Sequence, residues 1–220
     1  MGTYLASTRG LSPTLVYAAM LVLVLPAIVG SRLLFVVSHW QWYKHDSKRI
    51  WRRSEGGAAL YGGLIASCVL SVPLLRALGI PLGAFWDAAT LTILVGMIPT
   101  KIGCLLNGCC AGRPTERLFG MHLPNVHGVW RRRIPSQILE IGLAVLLLLL
   151  AVAIWHWLPF QGAVFLTCLT GYAGARWILE SLREDVDRVG GFSLHRIISA
   201  GLAALSLMSL ILLWPKGNLM

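Results

Sequence analysis

The feature that most constrains this chain is a succession of apolar runs, each long enough to cross a bilayer. They are read at Leu15 to Val37, Ala58 to Leu78, Phe85 to Leu106, Ile138 to Trp157, Gly162 to Leu182 and Ile197 to Trp214. A helix needs about 20 predominantly apolar residues to span the hydrocarbon core. In lipid the backbone must satisfy its own hydrogen bonds, which a helix does within one segment. The runs therefore predict an all-α fold, a polytopic transmembrane helical bundle of about six spans with short loops. No soluble domain, linker or internal repeat interrupts them, so residues 1–220 are expected to form a single integral membrane domain. Composition agrees, with 56% apolar and 13% charged residues leaving too little polar surface to cover a soluble globule. The first run is longer than the apolar core of a signal peptide and lacks a clear small-residue cleavage site, so it is expected to be retained as a span.

The formal charge of +10 is concentrated between spans, at Lys44, Lys48, Arg49, Arg52 and Arg53 and again at Arg113, Arg117, Arg131, Arg132 and Arg133. Basic segments beside a membrane attract anionic headgroups. Neither segment is long enough to be a soluble nucleic-acid-binding domain, which excludes nucleic acid as a partner. Taken alone, the positive-inside rule would put both segments in the cytoplasm and both termini outside. Glycine and proline punctuate the span ends, at Gly56, Gly57, Gly79, Pro81, Gly112, Pro114, Gly190 and Gly191. Gly62, Gly63, Gly171 and Gly174 lie inside spans, where small residues let helices approach closely.

Polar residues inside the spans carry the chemical information. A charge at helix centre costs at least about 2.5 kcal/mol on insertion, so one that persists usually lines a cavity or a site. Asp87, Lys101 and Asn107 belong to the third run, Ser136, Gln137 and Glu140 open the fourth, and Arg176 and Glu180 sit in the fifth. Arg176 and Glu180 are four apart and share a helix face, with Arg183 on the same side. That spacing admits two readings, an ion pair neutralising a helix end near the interface or a functional cluster. Asp185 and Asp187 read as solvated loop charges.

The segment from Lys101 to Gly112 contains Cys104, Asn107, Cys109 and Cys110. A metal site is not expected, because adjacent cysteines point apart on a helix and no second Cys-x-x-Cys or paired histidine accompanies them. Together with Cys68 and Cys168 these thiols lie in or at the ends of spans, which excludes a secreted disulfide framework and favours packing roles. No cofactor is expected.

Three ordered stretches resemble the bacterial prolipoprotein diacylglyceryl transferase family. The first is Glu55 to Ile65, with Tyr61, Gly62 and Gly63. The second is Lys101 to Gly112, continuing to the Pro135, Ser136, Gln137 and Glu140 helix start. The third is Arg176 to Glu180, followed by Phe192 to Ser199. The resemblance covers most of the chain from about Val29. It implies a multi-pass protein of the bacterial inner membrane that moves the diacylglyceryl group of phosphatidylglycerol onto the lipobox cysteine thiol of a prolipoprotein, releasing glycerol phosphate. It implies membrane lipids and a preprolipoprotein as partners. By the same resemblance Arg176 and Lys101 hold the phosphate, Glu180 orients Arg176, and Asn107 positions the headgroup. Tyr61 takes a catalytic position, and Gly62, Gly63 and Gln137 fall in the substrate site.

The chain departs from the family pattern at defined positions. Tyr61 stands where the family has a histidine, Lys101 where it has an arginine, and Cys104 and Cys109 where it has asparagine and glutamate. Lysine keeps the charge and loses the bidentate fork. Tyrosine, with a reference pKa of about 10, is a poor general base. The family's first helix has no evident match here, and its large head is reduced to the stretch Arg113 to Arg133. Two alternatives stay open on these grounds, a related lipid transferase with another acceptor and a non-catalytic membrane lipid-binding protein on the same scaffold. A transporter would need repeated halves, which the sequence lacks. Family topology puts the two basic segments outside and both termini in the cytoplasm, against the positive-inside reading. A reporter fused after Met220 is accordingly expected to read cytoplasmic, and a periplasmic readout would overturn the orientation and the lipoprotein role with it.

Overall fold

A computed structural model describes residues 7, 8, 10–44, 60–125, 127–184, 188, 189 and 192–214. The expectations at Lys48, Arg49, Arg52, Arg53, Glu55, Gly56, Gly57, Ala58, Asp185, Asp187, Gly190, Gly191 and Met220 lie outside the described residues. The chain divides into two units, Thr3–Phe85 and Trp86–Met220.

The first unit contains α1 (Pro13–Ser38), the short α2 (Trp40–Tyr43) and α3 (Leu60–Ala77). Pro13 sits at the start of α1, where its missing N–H removes no helical bond. α1 and α3 pack backbone to backbone, because glycine gives each helix a flat face. A Cβ on Gly62 would collide with the Gly30 carbonyl oxygen, one on Gly30 with Gly62 and Ala66, and one on Gly63 would lie 2.8 Å from Ala27 O. Ser67 Oγ donates to Leu23 O at 3.3 Å across the same seam. The Arg32 guanidinium stacks over Phe35 and Tyr43, 5.7 and 5.6 Å from their ring centroids, so its charge is matched at the end of α1 by two aromatic faces.

The second unit takes in nearly all of α4 (Leu82–Leu106), a hairpin of β1 (Met121–Pro124) and β2 (Trp130–Arg133), and the helices α5 (Ser136–Ile154) and α6 (Ala163–Leu179). A 3-10 turn (Glu180–Leu182), a minimal hairpin of β3 (Arg188–Val189) and β4 (Phe192–Ser193), and α7 (Leu194–Leu213) complete it. β1 and β2 are antiparallel, with Met121 opposite Arg133 and Pro124 opposite Trp130. Their turn is closed by Asn125, whose Oδ1 accepts from the backbone N–H of His127 and Val129 at 3.1 and 3.0 Å. Gly162 is the N-cap residue of α6, and free N–H groups at this end of the helix are capped by Asp87 of α4. Asp87 Oδ2 accepts from Gly162 N at 2.8 Å and Oδ1 from Phe165 N at 2.9 Å. A fully buried carboxylate is thereby neutralised by a helix N-terminus, so Asp87 holds structure.

Among the described residues five helices, α1, α3, α4, α5 and α7, are long and apolar enough to cross a membrane. The fifth expected run, Gly162 to Leu182, is a 17-residue helix continued by the 3-10 turn, with Arg176 and Glu180 near its end. Large apolar side chains face outward, Leu25, Leu149 and Leu212 being 68, 64 and 69% exposed, while Ser71, Asp87, Ser136, Glu140 and Ser199 are buried. This distribution fits lipid as solvent, and the chain is a multi-pass membrane protein.

The intramembrane glycines are not equivalent. Gly62 and Gly63 form a helix seam, Gly171 lies against Leu147, and a Cβ on Gly174 meets open space among the described residues. Gly62→Leu is therefore expected to destabilise the fold by about 1–3 kcal/mol through overpacking. Gly174→Ala should leave thermal unfolding in detergent unchanged, and equal melting of the two variants would refute the seam.

Candidate active site

The second unit buries a charged cluster centred on Glu140, one turn into α5. Its carboxylate forms an ion pair with Lys101 Nζ through Oε2, and Oε1 faces Arg176 Nη1 at 3.3 Å and Arg183 Nη2 at 3.4 Å. Arg176 Nη2 also meets Glu180 Oε2 at 2.7 Å. Glu180 is in turn touched by Ser193, whose Oγ donates to Glu180 Oε1 at 3.4 Å and accepts from Arg196 N at the start of α7. Four helices thus converge on one polar centre.

Local structure explains the convergence. Arg176 and Glu180 share a face by helical spacing. The helix then tightens into the 3-10 turn, and Arg183 follows in extended backbone, with φ −81° and ψ 147°, which lets its side chain return to the cluster. Among the described residues three cations, Lys101, Arg176 and Arg183, stand against two carboxylates, Glu140 and Glu180, leaving one positive charge in excess. All five groups are largely withdrawn from water, where charge interactions are stronger than at a surface.

The segment after α4 wraps this centre. α4 ends at Leu106, and Gly108 turns the chain with φ +69°, a position where a Cβ would press on Asn125 O at 2.7 Å. Cys110 is also left-handed, with φ +59°, unusual for a residue that is not glycine. Gln137 Nε2 donates to Cys109 O at 2.9 Å, and Ser136 Oγ to Cys110 O at 2.8 Å. Beyond them the chain is stitched to the end of α6. Arg113 N donates to Leu182 O at 2.8 Å, Arg113 Nε to Arg183 O at 3.0 Å, and Glu184 N to Ala111 O at 3.0 Å. Arg133, only 1% exposed, forms an ion pair with Glu184. The Arg133 hydrogen bond and charge hold the Glu184 carboxyl below its ordinary range.

Among the residues singled out by sequence, Lys101, Arg176 and Glu180 meet in the cluster. Asn107 is exposed at the end of α4, and among the described residues no hydrogen bond joins its side chain to the cluster. Gln137 is buried and spends its amide on the Cys109 carbonyl. Tyr61, Gly62 and Gly63 lie buried on α3 in the first unit. Of the basic residues between spans, Arg113 is exposed with its Nε bound to the Arg183 carbonyl, and Arg133 is buried against Glu184. One expectation is corrected. Cys109 and Cys110 do not point apart on a helix, because the helix stops before them. Sequence reasoning gave no role to Glu140 and took Arg183 only as a neighbour. The available signal was a lone acidic residue in the otherwise apolar run of α5.

A family model described as prolipoprotein diacylglyceryl transferase matches residues 1–212. Similar proteins include the phosphatidylglycerol–prolipoprotein diacylglyceryl transferase of Lactiplantibacillus plantarum, 31% identical over 191 residues, covering 80% of this chain and 66% of that relative. Enzymes with the same name from Bacillus cereus and Bacillus anthracis are 26% and 27% identical over 236 aligned positions, covering 99% of this chain and 85% of each relative. The chain therefore spans just under two thirds of the first relative's length and more of the other two.

Glu140→Ala would leave three buried cations facing one remaining carboxylate. Breaking a buried pair in this way costs about 3–5 kcal/mol. The variant should lose much of its thermal stability in detergent, and wild-type melting would show that Glu140 is not the hub.

Proposed function

The chain belongs to the prolipoprotein diacylglyceryl transferase family, and on that premise we propose that it transfers the diacylglyceryl group of phosphatidylglycerol to the lipobox cysteine thiol of a prolipoprotein. The observation that carries this reading is the excess positive charge, among the described residues, of the buried cluster around Glu140. A phosphodiester anion supplies the missing negative charge, and guanidinium groups suit its oxygens. In the reaction the acceptor thiolate attacks the glyceryl carbon. A C–S bond forms, the C–O bond to phosphate breaks, and glycerol phosphate leaves with the electron pair. Charge developing on the departing phosphate is where fixed cations in a dry site contribute most.

In this reading Arg176 and Lys101 hold the phosphate, and Glu180 orients Arg176 through their 2.7 Å contact. Asn107, at the end of α4, positions the headgroup. Gln137 belongs to the substrate site through the Cys109 carbonyl that it fixes. Tyr61 is assigned a catalytic place by family resemblance, as a hydrogen-bond donor, with Gly62 and Gly63 beside it in the sequence. Residues 1–220 act as one domain in the bacterial inner membrane, with phosphatidylglycerol and a preprolipoprotein as partners.

The test is transfer of labelled diacylglycerol from phosphatidylglycerol to a lipobox peptide by purified protein in detergent. Arg176→Ala is expected to lower transfer by about 10²-fold or more, with membrane insertion intact. Arg176→Lys, which keeps the charge and loses the fork, should fall between the two. Unchanged activity in Arg176→Ala would remove Arg176 from the mechanism. No transfer by intact, folded wild-type protein would overturn the assignment of acceptor and activity.

A further inference from the structure

The proposed transfer leaves three cysteines without a part. Cys104, at the end of α4, and Cys109 and Cys110, in the turn after it, bring their sulfur atoms within 4.8 Å of one another. The sequence gives no hint of this, because the convergence depends on the helix ending at Leu106 and on the left-handed backbone of Cys110. The arrangement is held from outside as well as from within. The carbonyls of Cys109 and Cys110 are bound by Gln137 and Ser136, and Cys109 Sγ lies 3.7 Å from the Cys104 carbonyl. Lys101 lies near enough to Cys104 to act on its charge, and Arg183 reaches the Cys110 thiol.

Three sulfurs so placed are close to a coordination sphere. Metal–thiolate bonds of about 2.3 Å put sulfurs about 3.8–4.0 Å apart, so small side-chain rotations would close the site around an ion. Among the described residues no histidine or carboxylate completes the group, so the donor set is sulfur alone with an open fourth position. That set discriminates against hard cations, which need oxygen, and favours soft ones. We infer that Cys104, Cys109 and Cys110 form a three-thiolate site for a soft thiophilic cation of the zinc(II) or copper(I) class.

Coordination forms three metal–sulfur bonds and releases the three thiol protons to solvent. Because the metal binds thiolates, it competes with protons for the sulfurs, so binding tightens as pH rises. The loaded site carries a net charge of −1 with zinc(II) or −2 with copper(I), set against Lys101 and Arg183. It would therefore compete with an anionic substrate for those cations. This last consequence rests on the proposed function, whereas the site itself does not.

The test uses the full chain in detergent, fully reduced and without oxygen. It is titrated with cadmium as an optical substitute for zinc, and separately with copper(I) buffered by a chelator. One equivalent of at least one ion should bind, with thiolate-to-metal charge transfer for cadmium. Binding should protect Cys104, Cys109 and Cys110 from alkylation and release protons. Cys109→Ser should weaken binding at least tenfold, and Cys68→Ser with Cys168→Ser should leave it unchanged. No binding of either ion at one equivalent, or protection that falls on Cys68 or Cys168 instead, would overturn the proposal even if the serine variants failed to fold. Because binding is read without any transfer assay, its failure is separate from failure of the proposed activity.

Discussion

A carboxylate enclosed in an apolar helix is the constraint to which the second unit answers. Glu140 lies within a run of leucine, alanine and valine, buried to the point that solvent cannot screen it. Leaving it bare would cost several kcal/mol, and the same holds for each of the cations around it. The groups are tolerable only together. Lys101 arrives from α4, Arg176 from α6 and Arg183 from beyond the 3-10 turn, so the mutual need of the charges draws these segments to the start of α5. Among the described residues the pairing is nonetheless incomplete, three cations against two carboxylates.

The remaining contacts of this unit follow from keeping that centre in place. Asp87 satisfies the N-terminus of α6 and so sets the height at which Arg176 emerges. The segment 109–114 and the hairpin close over the cluster through backbone bonds to residues 182–184 and through the buried pair of Arg133 with Glu184. The first unit solves the same problem of helix association differently. α1 and α3 have no hydrophobic drive toward each other in lipid, and they meet instead through glycine faces that bring backbones into direct contact.

The departures from the family pattern acquire physical meaning beside this geometry. Of the two thiols that stand where the resemblance expects asparagine and glutamate, Cys109 has its carbonyl bound by Gln137, and Cys104 lies at the end of α4. Lys101, Arg176 and Arg183 remain as the fixed positive charge of the neighbouring cluster. Lys101 in place of arginine contributes a point charge to that group in place of a fork.

Much of the protein follows from sequence alone, because lipid permits few solutions for its backbone. The all-α class, the number and rough limits of the spans, and the shared face of Arg176 and Glu180 are local consequences of apolar run length and helical spacing. The expected fifth run, Gly162 to Leu182, is a 17-residue helix that tightens into a 3-10 turn before Arg183 and is shorter than the five helices long enough to cross a membrane among the described residues. Three matters were decided by tertiary structure. Glu140 became the hub because partners 36 to 43 residues later in the chain, and Lys101 before it, fold onto it. Gly62 became a seam and Gly174 did not, because one faces another backbone and the other faces open space. The three cysteines converged because of where α4 ends and how Cys110 turns. Spacing along a helix reports which residues share a face. Which faces meet, and where a helix stops, depends on energies that arise only when distant segments are brought together.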